Sequence, residues 1–287
     1  MDVFIYGVVR SAEFLLVAMG FSFVYGISRL PNFAHGALYV LTSFITWIFL
    51  RALGWNYFLS ILLSIIIVTL IGAAIYRFFL IRVRGMEMSE IIASYALGLA
   101  ILEGLRIRFV GASFATPRFV DGIIEIGEVP IDMQRVIVIA MGLSVVVVMW
   151  AFTHYTKVGR SLRAIAQNER AAMMLGIDSD RAATIALAFG STLVALAAVV
   201  LAPTGSLTVD HGYEVLIYAI AVCIIGGLGS WVGTILASFI LGFAGILTAT
   251  FAGGMWQSVV IIAAIVITLI IKPSGLFGRQ KELEERV

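Results

Sequence analysis

The chain contains three histidines, one cysteine and 17 acidic residues, and their spacing sets up neither catalysis nor metal binding. His35, His154 and His211 lie far apart with no cysteine beside them, so no metal-ligand pattern forms. Cys223 is alone in an apolar run, which excludes an intrachain disulfide and reads as a small buried hydrophobe. No glycine-rich phosphate loop, G-x-S-x-G elbow or H-E-x-x-H helix occurs. Two acid–base pairs stand one helical turn apart in apolar surroundings, Arg10 with Glu13 and Glu103 with Arg106, and local ion pairing is the simpler reading of both. Asp210, His211 and Glu214 fall in or beside a loop, either solvated or facing an external partner. Acids deep in the apolar stretches are too few for a proton-coupled carrier.

The elements that position these groups follow from composition. Of 287 residues, 61% are hydrophobic and 13% charged, with a mean hydropathy of +1.08. A soluble fold cannot cover itself with so few charges, and disorder requires the opposite composition. The net charge of +2 gives no sign of nucleic-acid binding. The reading is an all-α polytopic membrane protein of about eight or nine segments, some broken or re-entrant. The nine segments run over 8–28, 36–53, 57–76, 90–109, 134–155, 183–202, 213–228, 232–251 and 255–271. The first lacks a basic leader and an A-x-A site, so a retained helix is expected. The breaks are expected at Pro31 to Gly36 and at Gly226 to Ser230, where Pro and Gly at membrane depth demand other partners for the backbone. Trp47, Trp55, Tyr57, Trp231 and Trp256 near segment ends read as interface anchors.

Charge sets the expected orientation. Segments 29–35, 77–90, 156–182 and 272–287 carry thirteen of the 19 Lys and Arg. The positive-inside rule makes that side cytoplasmic, with the N-terminus outside and the C-terminus, a tail over 272–287, inside. The 110–133 segment is then an external loop. Asp121-Gly122 beside partly alternating apolar residues predicts a short hairpin there, either solvated or part of a docking surface. The internal loop 156–182 predicts two short helices. Leu162, Ile165 and Ala166 share a face of the first. Asn168 caps the second, with Glu169 near its positive end. Ala171, Ala172 and Leu175 form its stripe and Gly176 stops it. Ala- and Arg-rich helices at a membrane face suit either a protein docking site or a lipid surface.

Four motifs in order carry a resemblance. Arg29 to Gly36 reads R-L-P-N-F-A-H-G. The loop from Gly159 to Ile177 fits G-R-x-x-R-A-x-x-x-N-x-x-A-A-x-x-x-G-I. Gly226 to Gly233 fits G-G-x-G-S-x-x-G, and Lys272 to Gly278 reads K-P-S-G-L-F-G. Together they resemble the branched-chain amino-acid ABC transporter permeases, in the shorter LivH form rather than the longer LivM form, across nearly the whole chain.

The resemblance implies one transmembrane permease domain over 1–287 that is no enzyme. It would bind no cofactor itself, and ATP and magnesium would act on partner subunits. Expected partners are a second permease, as a LivM-type heterodimer or a homodimer, two ATP-binding cassette subunits, an external solute-binding protein and the bilayer, in a prokaryotic plasma membrane. Gly159, Arg160, Arg163, Ala164, Asn168, Ala171, Ala172 and Gly176 would couple to the ATPase. Asn32, His35, Gly36, Tyr39, Gly226, Gly227 and Gly229 would line the substrate pathway. Asn32 and His35 read equally as partners for the broken backbone, and the glycine run equally as close helix packing. The implied cargo is leucine, isoleucine, valine or a related hydrophobic amino acid. The alternatives are urea or short-chain amides within the family, or an autonomous secondary transporter or channel outside it, which would not need two docking helices.

Overall fold

A computed structural model describes residues 2–29, 31–109, 113–126 and 129–278. The chain order is α1 (Asp2–Ser28), α2 (His35–Trp47), α3 (Tyr57–Ala74), α4 (Glu87–Arg108), β1 (Ile123–Ile126), β2 (Val129–Asp132), α5 (Met133–Tyr155), α6 (Lys157–Gln167), α7 (Glu169–Met174), α8 (Ser179–Leu201), α9 (His211–Gly226), α10 (Trp231–Phe251) and α11 (Trp256–Ile271). All nine expected apolar segments are helical, and α6 and α7 are the two expected loop helices. Among the described residues, six helical stretches are long and apolar enough to cross a membrane: Asp2–Ser28, Tyr57–Val83, Glu87–Arg108, Met133–Tyr155, Ser179–Thr204 and Trp231–Phe251. The others are shorter. At ~1.5 Å per residue, α2 with 13 residues and α9 with 16 fall well short of a ~30 Å hydrocarbon layer.

α1 is the central post, buried on nearly every side and packed against α5, α8, α9 and α10. The outer helices α3 and α4 bury one narrow stripe each, at a period of four. In α3 the stripe is Ser60, Ser64, Val68 and Gly72, and in α4 it is Glu90, Ser94, Gly98 and Leu102. Their large apolar side chains, such as Leu62, Ile66, Leu70, Ile92 and Leu99, point outward. This is the membrane pattern: hydrocarbon solvates leucine as well as a core does, so small and hydroxyl residues make the interhelical contacts. Thr234 Oγ1 bonds Ser22 Oγ at 2.8 Å, and Thr69 bonds Thr192 at 2.8 Å. Such bonds average about 0.6 kcal/mol in membranes.

The basic segments assigned to one side do converge at one end of the bundle. Ser28, Tyr76, Arg84, Glu90, Ile165 and Ser179 line one cavity there. Gly26, next to them on α1, packs against Gly229. At the opposite end Tyr6 bonds the Pro130 carbonyl, Tyr57 bonds the Pro117 carbonyl, and Phe114 pairs with Leu207. Leu30, 110–112, Gly127, Glu128 and the tail from Arg279, all parts of sequence assignments, lie outside the described residues.

Two local expectations are corrected. The hairpin exists, but Ile126 pairs with Val129 at its closed end, so Asp121-Gly122 is not its turn. Gly122 instead joins the start of α5, its carbonyl accepting from Met133 N–H. Trp47 and Trp231 are packing residues, one in a cluster with Phe44, Phe109 and Phe114 and one against Phe23. Trp55 and Trp256 are exposed near helix ends.

Candidate functional site: helix breaks and a projecting helix pair

At the first break three successive backbone amides have partners. Asn32, buried, accepts the Ala34 N–H on Oδ1 at 3.1 Å, and its carbonyl accepts the His35 N–H at 3.2 Å. The Phe33 N–H donates to Ser94 Oγ on α4 at 3.2 Å. These bonds serve amides that α2 leaves orphaned at its start. His35 is buried, its Nε2 2.9 Å from the Val17 carbonyl and its ring edge-on to Phe21. A carbonyl only accepts, so the proton is assigned to Nε2. Tyr39 is buried one turn further on.

Val17 lies in the middle of α1, so the chain turns back to mid-bundle before α2 begins. There Gly36 meets Gly212 at the start of α9, backbone against backbone. A Cβ added to Gly36 would overlap the Gly212 carbonyl and stand 3.1 Å from Leu216 Cβ. The sequence placed 210–214 in or beside an external loop and gave no hint that α9 starts against the first break. Asp210, just before α9, is exposed and pairs with Arg106 at 2.6 Å, and Arg106 also meets Glu103 at 3.2 Å. Glu13 pairs with Arg10 at 2.6 Å, as the spacing predicts.

The second break joins two of the sequence motifs. α9 stops at Gly226; Gly227 and Gly229 have φ of 98° and 76°, a left-handed backbone open to glycine. The last α9 carbonyls are taken by the C-terminal segment. Leu276 N–H donates to the Ile225 carbonyl at 2.8 Å and Phe277 N–H to the Gly226 carbonyl at 3.1 Å. Gly226 itself packs on Gly233 of α10. The run therefore sits in close backbone contacts, and the last segment caps α9.

The projecting pair α6–α7 is built from local signals. Thr156 Oγ1 accepts the Gly159 N–H at 2.9 Å, and Asn168 Oδ1 accepts the Ala171 N–H at 3.0 Å, so each helix has its cap. Gly159 is buried against the Phe152 carbonyl. Leu162 and Ile165 turn the apolar face of α6 into the bundle, and Ala172 is buried beside them. Arg160, Arg163, Asn168 and Ala171 are exposed, and Ala164 is half-buried. Gly176 ends the turn at φ 84°. The tip is Met173, Met174 and Leu175, the last two 87% and 82% exposed. Asp178 caps α8 by accepting the Asp180 and Arg181 N–H groups at 3.0 and 3.1 Å. The Arg181 amide chiefly holds its carboxyl below the usual range. Glu169 does not serve the α7 end alone: it pairs with Arg84, a residue the sequence reading left out of the site. A separation of 85 positions carries no periodic signal.

Helix breaks within a bundle of long apolar helices, with a helix pair projecting at one end, describe a multi-pass membrane protein. The profile of the family described as branched-chain amino acid transport system / permease component matches residues 3–269, and the chain belongs to that family. It is 27% identical over 289 residues to the high-affinity branched-chain amino acid transport system permease protein LivH of Escherichia coli K12, covering 95% of this chain and 94% of that protein. It is 26% identical over 288 residues to the corresponding permease BraD of Pseudomonas aeruginosa, with 95% and 94% covered. The structure titled PsaBC from Streptococcus pneumoniae in complex with Fab aligns with a TM-score of 0.52 at 13% identity, covering 100% of this chain and 96% of that one, a likeness of fold.

Proposed function

We propose that this chain is the pore-forming permease subunit of an ATP-driven importer that carries branched-chain aliphatic amino acids into a prokaryotic cell. It lies in the plasma membrane as one domain, with the N-terminus outside and α6–α7 and the C-terminus in the cytoplasm. Its pore partner is a second permease, two ATPase subunits bind ATP and magnesium, and an external binding protein delivers the solute. Family membership and the names of its relatives support the cargo, and they favour leucine, isoleucine and valine over urea or amides.

The observation that carries the mechanism is the exposed apolar tip of α7 at the basic end of the bundle. Met173, Met174 and Leu175 stand exposed, and Arg160, Arg163 and Arg170 of the same helix pair are exposed as well. Such a knob fits an apolar groove with an acidic rim on an ATPase. α6 is anchored by Leu162 and Ile165, so a push on the tip moves the helix pair as a body. Inside, the meeting of α2 and α9 presents the positive ends of two short helices near mid-bundle, suited to the carboxylate of a zwitterion, while the apolar walls suit its side chain.

Copurification from native membranes tests this reading. Wild-type chain should bring ATP-binding subunits and a second permease. Arg163→Glu and Leu175→Glu should leave the chain in the membrane and release the ATPase. Intact complexes with normal leucine uptake in both variants would refute the docking assignment. Titration of the binding protein with leucine, isoleucine, valine and urea decides the cargo.

A further inference from the structure

The groups around Arg84 have no place in the substrate route, yet they join four elements. Arg84 follows the helical extension of α3. Its Nη2 lies 2.6 Å from Glu169 Oε1 on the first turn of α7. The same guanidinium bonds Asp180 and Ser179 on the first turn of α8, and Ser179 in turn donates to Glu169. The turn that carries Arg84 is fastened to α4, because the Gly85 N–H donates to the Glu90 carboxylate at 2.8 Å. One arginine fork thus ties the start of α7 and the start of α8 to the α3–α4 turn.

Beneath the clasp is a cavity of about 30 Å³, lined by Ser28, Tyr76, Arg84, Glu90 and Ser179 among others. It has room for about two water molecules. The buried Tyr76 hydroxyl, without a hydrogen-bond partner among the described residues, lines it. A second cavity of about 20 Å³ shares Ser28, Tyr76 and Glu90 and reaches Asn32 and Ser94 at the first break. The void beneath the clasp, mainly polar in its lining, lets the clasp shift without opening a dry gap.

From the clasp, α4 leads to the first break and to the start of α9 along its one buried stripe. Glu90, Ser94, Gly98 and Leu102 recur every four residues and share a face. Ser94 holds the Phe33 amide. A Cβ on Gly98 would stand 3.0 Å from Ala34 Cα, and Leu102 packs against Gly212. One turn on, Arg106 pairs with Asp210 before α9. The geometry points to Arg84 as a positioning residue that links α7 to the substrate pathway. Movement of α7 passes through the Arg84 clasp to the α3–α4 turn, and along the α4 stripe to the starts of α2 and α9.

This inference rests on the proposed function, and its test separates the two. The whole complex is reconstituted in proteoliposomes with the binding protein, and leucine uptake and ATP hydrolysis are measured together. Arg84→Gln should keep the ATPase subunits and their hydrolysis, while leucine moved per ATP falls by about 2- to 30-fold. Arg84→Lys, which keeps the charge but loses the fork, should retain part of the ratio. Gly98→Ala should lower it from the far end of the same stripe. An unchanged ratio in both Arg84→Gln and Gly98→Ala overturns the inference. So does equal loss of accumulation or of ATPase subunits in all three variants, which would make the residues structural. Wild-type transport without ATP would refute the function reading itself, and is seen before any variant is made.

Discussion

Replacing Gly36 with alanine tests the meeting of α2 and α9, because two opposing effects have different sizes. In a helix interior alanine is favoured over glycine by about 1 kcal/mol. At Gly36 the added methyl would overlap the Gly212 carbonyl and press on Leu216 Cβ at 3.1 Å. No rotamer relieves an overlap with backbone, so the upper part of the ~1–3 kcal/mol range for overpacking applies. The balance is a loss of roughly 1–2 kcal/mol, or about 2–8 °C in the melting midpoint at 2–4 °C per kcal/mol. Gly104 on α4 is the control: it is helical and exposed, and an added Cβ meets nothing within 4 Å. Gly104→Ala should therefore raise the midpoint by about 1–4 °C. Thermal unfolding of both purified variants in one detergent, alongside leucine uptake, reads the comparison. If Gly36→Ala is as stable as Gly104→Ala, the two helix starts do not touch, and the account of the central break is wrong.

Two further outcomes follow from the capping geometry. Truncation after Ile271 removes the amides of Leu276 and Phe277 from the Ile225 and Gly226 carbonyls. Each orphaned carbonyl costs about 1–3 kcal/mol, so the truncated chain should melt several degrees lower and be cut by protease near Gly227; an unchanged midpoint would refute the cap. Asp178 makes acid stability informative. Its carboxyl is held below the ordinary range by the Arg181 amide. Its contribution is therefore present above the unfolded pKa and is lost as pH falls through the lower folded value. The stability gap between wild type and Asp178→Asn should be constant near roughly pH 6 and close towards pH 3; a gap independent of pH would refute the carboxylate cap.

The sequence by itself determined the class, the helices and their stops. Nine apolar runs became nine helices because hydropathy is a property of each segment alone. Pro31, Gly226 and Gly227 marked real breaks because the backbone rules they obey are local, as are the caps at Asn168 and Asp178. Tertiary structure decided what meets what. Neither α3 nor α4 has an amphipathic pattern to announce that Ser60, Ser64, Val68 and Gly72, or Glu90, Ser94, Gly98 and Leu102, would be the faces turned inward. In lipid the buried stripe is chosen by small size and hydrogen bonding, a far weaker sequence signal than apolarity. The hairpin turn moved past Asp121-Gly122 because strand register is set by pairing across the whole loop. The approach of Gly36 to Gly212, the capping of α9 by Leu276 and Phe277, and the clasp of Arg84 on Glu169 join residues dozens to hundreds of positions apart. No local periodicity records such contacts; they exist because the other helices fill one volume around α1.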